Sequence, residues 1–170
     1  MEAYEQPPPV EALDEYRAFV QKVETSPAPE PAGPLAGMTL AIKDNIAIAG
    51  MRTRAACPAL PDTPAAADAP VVAALRLAGG TIVGHTNMHE LALGITSDNP
   101  WSGRVDNPIR PGHLAGGSSG GTAAAIAGGL ADAGLGSDTG GSSRIPAAFC
   151  GIAGLRPTTG RYSGDGILQL

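Results

Sequence analysis

"AGGSSGGTAAAIAGGLADAGLGSDTGG", residues 115–141, joins two glycine-serine turns through a run of small apolar residues. Taken alone, "GGSSGG" (116–121) has the composition of a flexible linker. A linker separates packed units, yet the residues that follow it, "TAAAIAGGL" (122–130), read as a small-residue helix buried on most sides. "AGLGSD" (133–138) then reads as a strand.

Working outward, "MTLAI" (38–42) is a short apolar strand, and "AADAPVVAALRLAGG" (66–80) carries helix signals. These are Asp68 as a cap, Pro70 in the first turn and Gly79–Gly80 as a stop. "TIVG" (81–84) reads as a further strand, followed by a polar loop "HTNMHE". Strand, helix and strand in this rhythm give an α/β fold, a mixed and largely parallel sheet flanked by helices. Upstream, Val10, Leu13, Arg17, Val20 and Val23 predict an amphipathic helix over 10–24, and "SPAPEPAGP" (26–34) an extended connector. The chain thus divides into an N-terminal helix with connector, 1–34, and a core, 35–170.

With 170 residues, 43 % hydrophobic and 16 % charged, the chain can bury one core. Its net charge of −5 comes from residues 1–30, which hold seven acids and two bases, while the rest is neutral. No basic patch suits a phosphate backbone, so the charge distribution argues against direct nucleic-acid binding by this chain. Cys57 and Cys150 form neither a disulfide framework nor a metal cluster. The acidic N-terminus lacks the apolar stretch of a signal peptide, and no apolar run is long enough to span a membrane. The expectation is a cytoplasmic protein.

Sixteen of the 24 glycines fall between Gly112 and Gly166. Glycine in regular structure costs roughly 0.5–1 kcal/mol against alanine, so this density marks backbone that turns sharply or approaches something closely. Three segments carry candidate chemistry: "AIKDNI" around Lys43, "GGSSGG" around Ser118 and Ser119, and "SDTGGSSRIP" around Ser142. Lys43 is one of two lysines; it marks either the solvent end of a strand or a desolvated amine able to act as a base. Ser142 ends a glycine-rich turn, as a helix cap or as a nucleophile beside converging backbone N–H groups. "GGSSGG" lacks the Lys-Ser/Thr ending of a phosphate-binding loop. His85, His89 and His113 sit in no recognisable serine-hydrolase or zinc pattern, and read as ordinary hydrogen-bonded side chains.

Together "AIKDNI", "TNMHELALGITSDNP" (86–100), "GGSSGG" and "GSDTGGSSRIPAAFCGIAGLRPTTGR" (136–161) resemble the amidase signature family of serine hydrolases. The resemblance covers about residues 35–170. It implies the N-terminal part of that family's fold and a Ser-Ser-Lys triad. In it Ser142 is the nucleophile, Ser118 a bridging serine after a cis Gly117–Ser118 bond, and Lys43 the neutral base. It further implies an oxyanion hole from the N–H groups of Thr139, Gly140, Gly141 and Ser142. Ser119 would hydrogen-bond the lysine, and Asp138 and Arg144 would brace the loop. Asp44, next to Lys43, is expected to point to the other side of the strand.

The implied activity is hydrolysis of a small-molecule amide to carboxylate and ammonia or amine, with no cofactor and no metal. The implied partners are further copies of the chain or a complementary chain; neither nucleic acid nor membrane is among them. The segments look most like the indoleacetamide and mandelamide hydrolase branch, with the glutamine-amidotransferase branch that acts on charged tRNA second. Two departures stand out. Ser143 replaces the branched aliphatic residue many members carry, and the chain is short for the family. The alternative function is therefore a weak or inactive fragment serving as an assembly or binding partner, and a glycine-rich anion binder comes third.

Overall fold

In β2, Thr39–Lys43, alternate residues face opposite ways: Leu40 and Ile42 join one apolar cluster, and Ala41 joins another. The structure is a computed structural model, and it describes residues 10–23 and 32–169. The first cluster is completed by Val72 of α1 (Pro70–Leu77), with Ile46, Ile48 and Ile82. The second is completed by Ala123, Ala124 and Ala125 of α2 (Gly120–Ala127), with Phe19 and Val105. The sheet therefore lies between α1 and α2, and β2 is buried on both faces.

Four strands lie in the order β1-β3-β2-β4, with β1 at Phe19–Lys22, β3 at Thr81–Thr86 and β4 at Ala133–Leu135. β2 pairs in parallel with β3 and β4, and β1 is antiparallel to β3. This is the mixed, mostly parallel sheet read from the sequence. A register shift at Gly84, where φ is 155°, pairs Ile42 with His85 and Lys43 with Thr86. The shift turns Thr86 to the α2 face, where its hydroxyl meets that of Thr122 at 2.7 Å.

Three local expectations are corrected. The helix expected over 10–24 does not form among the described residues. The Asp14 carboxylate accepts the N–H groups of Tyr16, Ala18 and Phe19 at 2.9–3.0 Å, a local alternative to helical bonding, and β1 follows to cover β3. Asp68 does not cap α1, which begins after Ala69. It accepts the Ala49 N–H and pairs with Arg76 instead. His85 and Thr86 belong to β3 rather than to a loop, since β1 and β2 both continue alongside them. The connector at 26–34 lies for the most part outside the described residues. Among the described residues no helix is long and apolar enough to cross a membrane.

α2 approaches the sheet so closely that a methyl group at Gly121 would overlap the carbonyl oxygens of Asn87 and Ala18. Backbone on both sides cannot yield. Gly121→Ala is therefore expected to cost about 3 kcal/mol, lowering the thermal midpoint by roughly 6–12 °C in circular dichroism melts.

Candidate active site

Lys43 ends β2 on the face that carries α2, so its side chain runs beneath the sheet toward the start of that helix. It is fully buried, and Nζ lies 2.7 Å from Ser118 Oγ. The Gly117–Ser118 peptide bond is cis, as the sequence reading implies. A methyl at Gly117 would lie 2.8 Å from Ser97 Oγ, so the turn is held against buried Ser97. Ser97 Oγ also accepts the Gly120 N–H at 3.1 Å. Sequence reasoning did not single out Ser97.

Burial lowers the Lys43 amine to about 7, and the negative charge of Asp138 works in the opposite direction. No carboxylate lies within ion-pair distance of Lys43 among the described residues. Asp44 points away, as expected: its carboxylate accepts the N–H groups of Arg54 and Ala56 at 3.3 and 3.2 Å and faces His85 Nδ1 at 3.3 Å. Burial pushes the Asp44 carboxyl up to about 7, against the pull of those N–H groups. His85 sets its ring nitrogens against the carbonyls of Ile46 and Arg52, at 2.8 and 3.1 Å. It reads as a buried, hydrogen-bonded histidine. Among the described residues no group of three or more metal-ligating side chains assembles.

The second glycine-rich turn is built around Asp138. Its Oδ1 accepts the Gly141 N–H at 2.7 Å, and Oδ2 accepts those of Ser143 and Arg144 at 3.1 and 3.3 Å. Arg144 grips both carboxylate oxygens, and Arg156 Nε donates to the Asp138 carbonyl. The Arg144 guanidinium, helped by these N–H groups, holds the carboxyl well below the usual carboxylate range. Asp138 and Arg144 thus tie the turn together through these hydrogen bonds. Gly141 does not fit its expected place in an oxyanion hole, because its N–H is already committed to Asp138. The N–H groups of Thr139, Gly140 and Ser142 have no hydrogen-bond partner among the described residues.

Ser142 is half-buried, and its carbonyl accepts the Ser119 N–H at 3.0 Å, which ties the two glycine-rich turns together. The expected relay is closed on one side only: Ser118 is bonded to Lys43, while the Ser142 hydroxyl makes no hydrogen bond among the described residues. Such contacts commonly tighten only once substrate is bound. Ser119 is corrected as well. Its hydroxyl donates to the Ser137 carbonyl at 3.2 Å and does not reach Lys43. The lysine is held by Ser137, through Oγ at 2.8 Å and the carbonyl at 3.5 Å. Ser137 follows β4, whose Leu135 pairs with Ile42, so the strand register brings it beside Lys43.

A cleft of about 670 Å³ runs alongside Ser119, Ser137, Asp138, Thr139 and Ser143 toward the segment around Leu155 and Leu168. Lys43, Ser118 and Ser142 do not line it.

A family model described as amidase matches residues 10–170. The chain belongs to the amidase family. Indoleacetamide hydrolase of Pseudomonas savastanoi is 52% identical over 137 residues, covering 81% of this amidase-family chain and 30% of that protein. The A-type subunit of the glutamyl-tRNA(Gln) amidotransferase of Natronomonas pharaonis is 48% identical, covering 90% and 36% respectively. The crystal structure of the corresponding protein from Thermotoga maritima superimposes with a TM-score of 0.85 at 40% identity, over 90% of this chain and 34% of that one. The chain thus spans about a third of the length of these relatives. Both branches named in the sequence reading occur at comparable identity.

Proposed function

We propose that this chain carries the nucleophilic machinery of an amidase that splits a carboxylic amide into carboxylate and ammonia or amine. Ser142 Oγ attacks the carbonyl carbon, and its proton passes through Ser118 to neutral Lys43. Free N–H groups of the 139–142 turn receive the developing oxyanion. As the C–N bond breaks, the proton returns along the same path to the departing nitrogen. Water, activated by the same lysine, then releases the acyl group from Ser142.

The observation that carries this reading is Lys43 itself. It is a buried amine with no carboxylate within ion-pair distance among the described residues and an ordinary serine hydroxyl at 2.7 Å, an environment that favours the neutral form. The likeness to indoleacetamide hydrolase favours an arylacetamide-type substrate for the whole protein.

A fluorophosphonate probe tests the reading. Intact chain is expected to be labelled at Ser142, Ser142→Ala not at all, and Ser118→Ala at least about a hundredfold more slowly. Labelling that survives Ser142→Ala removes the nucleophile. Absence of labelling in every form favours a second reading, supported by β4, which has β2 as its one strand partner among the described residues and the cleft beside it. In that reading the chain is one part of an assembly with a complementary chain.

A further inference from the structure

Lys43 is not held by its serine partner alone. Asn45, 1 % exposed and two residues further along the same strand direction, sends its amide Nδ2 to the Leu168 carbonyl and to Ser137 Oγ, each at 3.0 Å. A carbonyl can only accept, so Leu168 fixes which end of the Asn45 amide is the NH2. Its second hydrogen then occupies one lone pair of Ser137 Oγ. The other lone pair is left for Lys43, 2.8 Å away. The segment bearing Leu168 is itself anchored, since the Leu168 N–H donates to the Asn45 carbonyl and the Ala47 N–H to the Gly166 carbonyl.

We propose that Asn45 and Ser137 are positioning residues: together they draw the two N–H groups of neutral Lys43 toward Ser137 and leave its lone pair aimed at the Ser118 hydroxyl. A neutral amine has two hydrogens and one lone pair. The Ser137 carbonyl accepts one hydrogen and Ser137 Oγ, kept an acceptor by Asn45, takes the other. The Ser118 hydroxyl then donates to Lys43, the direction of transfer that the attack of Ser142 requires. This inference rests on the amidase reading for its purpose, though not for its geometry.

The chain has two lysines, Lys22 and Lys43, so ¹³C-labelling at lysine Cε gives two signals, and Lys22→Arg assigns them. The titration of Lys43 is then read directly, with no need for turnover. Ser137→Ala removes an acceptor that the ammonium uses more strongly than the amine, so the Lys43 midpoint is expected to fall by about half a pH unit or more. Ser137→Thr keeps the hydroxyl and is expected to restore the midpoint. Asn45→Ala frees the Ser137 hydroxyl to donate to the amine, and should also lower the midpoint. The double variant should fall no further than Ser137→Ala alone, because both act along one path.

A merely structural role predicts the opposite sign. A loosened site admits water and moves Lys43 up toward ordinary lysine values, and that result, or no movement, overturns the proposal. Fluorophosphonate labelling of the same samples separates the two readings. Expected midpoints in a chain whose Ser142 stays unlabelled support the positioning and defeat the amidase reading. Labelled Ser142 with unmoved midpoints removes the positioning alone.

Discussion

Lys43→Met is expected to slow fluorophosphonate labelling of Ser142 by about 10²- to 10⁴-fold, the usual contribution of a positioned base, and at the same time to stabilise the fold. The two effects have one cause. Burial lowers the Lys43 amine from 10.5 to about 7. Between those values the unfolded chain binds more protons than the folded one, so stability rises with pH across that window. Below about pH 7 the folded state bears the whole cost of desolvating the lysine, about 5 kcal/mol. Methionine fills similar space without charge. It forfeits the hydrogen bonds to Ser118 and Ser137, worth about 1 kcal/mol each, which leaves a net gain of about 3 kcal/mol below about pH 7. Thermal melts at pH 6 should show the variant roughly 6–12 °C above the parent chain, with the gap closing near about pH 9 and reversing in the parent's favour above it. A variant that melts lower at pH 6 defeats the neutral-lysine reading. In that case the ammonium would be a structural cation and not a base.

Strands β2, β3 and β4, the α2 run and the residues with chemical potential were legible in the sequence because each rests on local composition. "MTLAI" is apolar whichever neighbours it meets, and "GGSSGG" followed by an alanine-rich run leaves few other packings. The N-terminal segment misled for a physical reason. Its helical spacing is genuine, but the Asp14 side chain captures three backbone N–H groups and the edge of β3 takes the residues that follow. Ser137 and Asn45 went unread because their role depends on register. Only once Leu135 pairs with Ile42 does Ser137 fall beside Lys43, and only then does the Asn45 amide meet the Ser137 hydroxyl. The sequence points to Ser119 as the serine that supports the lysine, but Ser137, just after β4, takes that place. Gly141 shows the limit of residue-by-residue transfer, since nothing in "SDTGGSS" announces that Asp138 claims its N–H.

That claim makes Asp138 the residue whose loss should most damage the turn, and Asp138→Asn should do nearly as much harm as Asp138→Ala. The asparagine oxygen can still accept the Gly141 N–H, but its amide would face the Ser143 and Arg144 N–H groups and the Arg144 guanidinium with donor against donor. Losing these charge-assisted bonds is expected to cost about 3 kcal/mol, visible as a drop of roughly 6–12 °C in the thermal midpoint at pH 7. The carboxyl is held below its ordinary value, so this contribution is full above about pH 4 and fades as pH falls through the folded-state value. Parent and variant should therefore converge in acid. The turn presents the free N–H groups of Thr139, Gly140 and Ser142, so Ser142 labelling should also fall, even at temperatures where the variant stays folded. One further consequence distinguishes electrostatics from loosening. The charge of Asp138 raises the Lys43 amine, so neutralising it with asparagine should send the Lys43 ¹³C midpoint lower still. A midpoint that climbs instead shows water reaching the lysine, and places the role of Asp138 in packing alone.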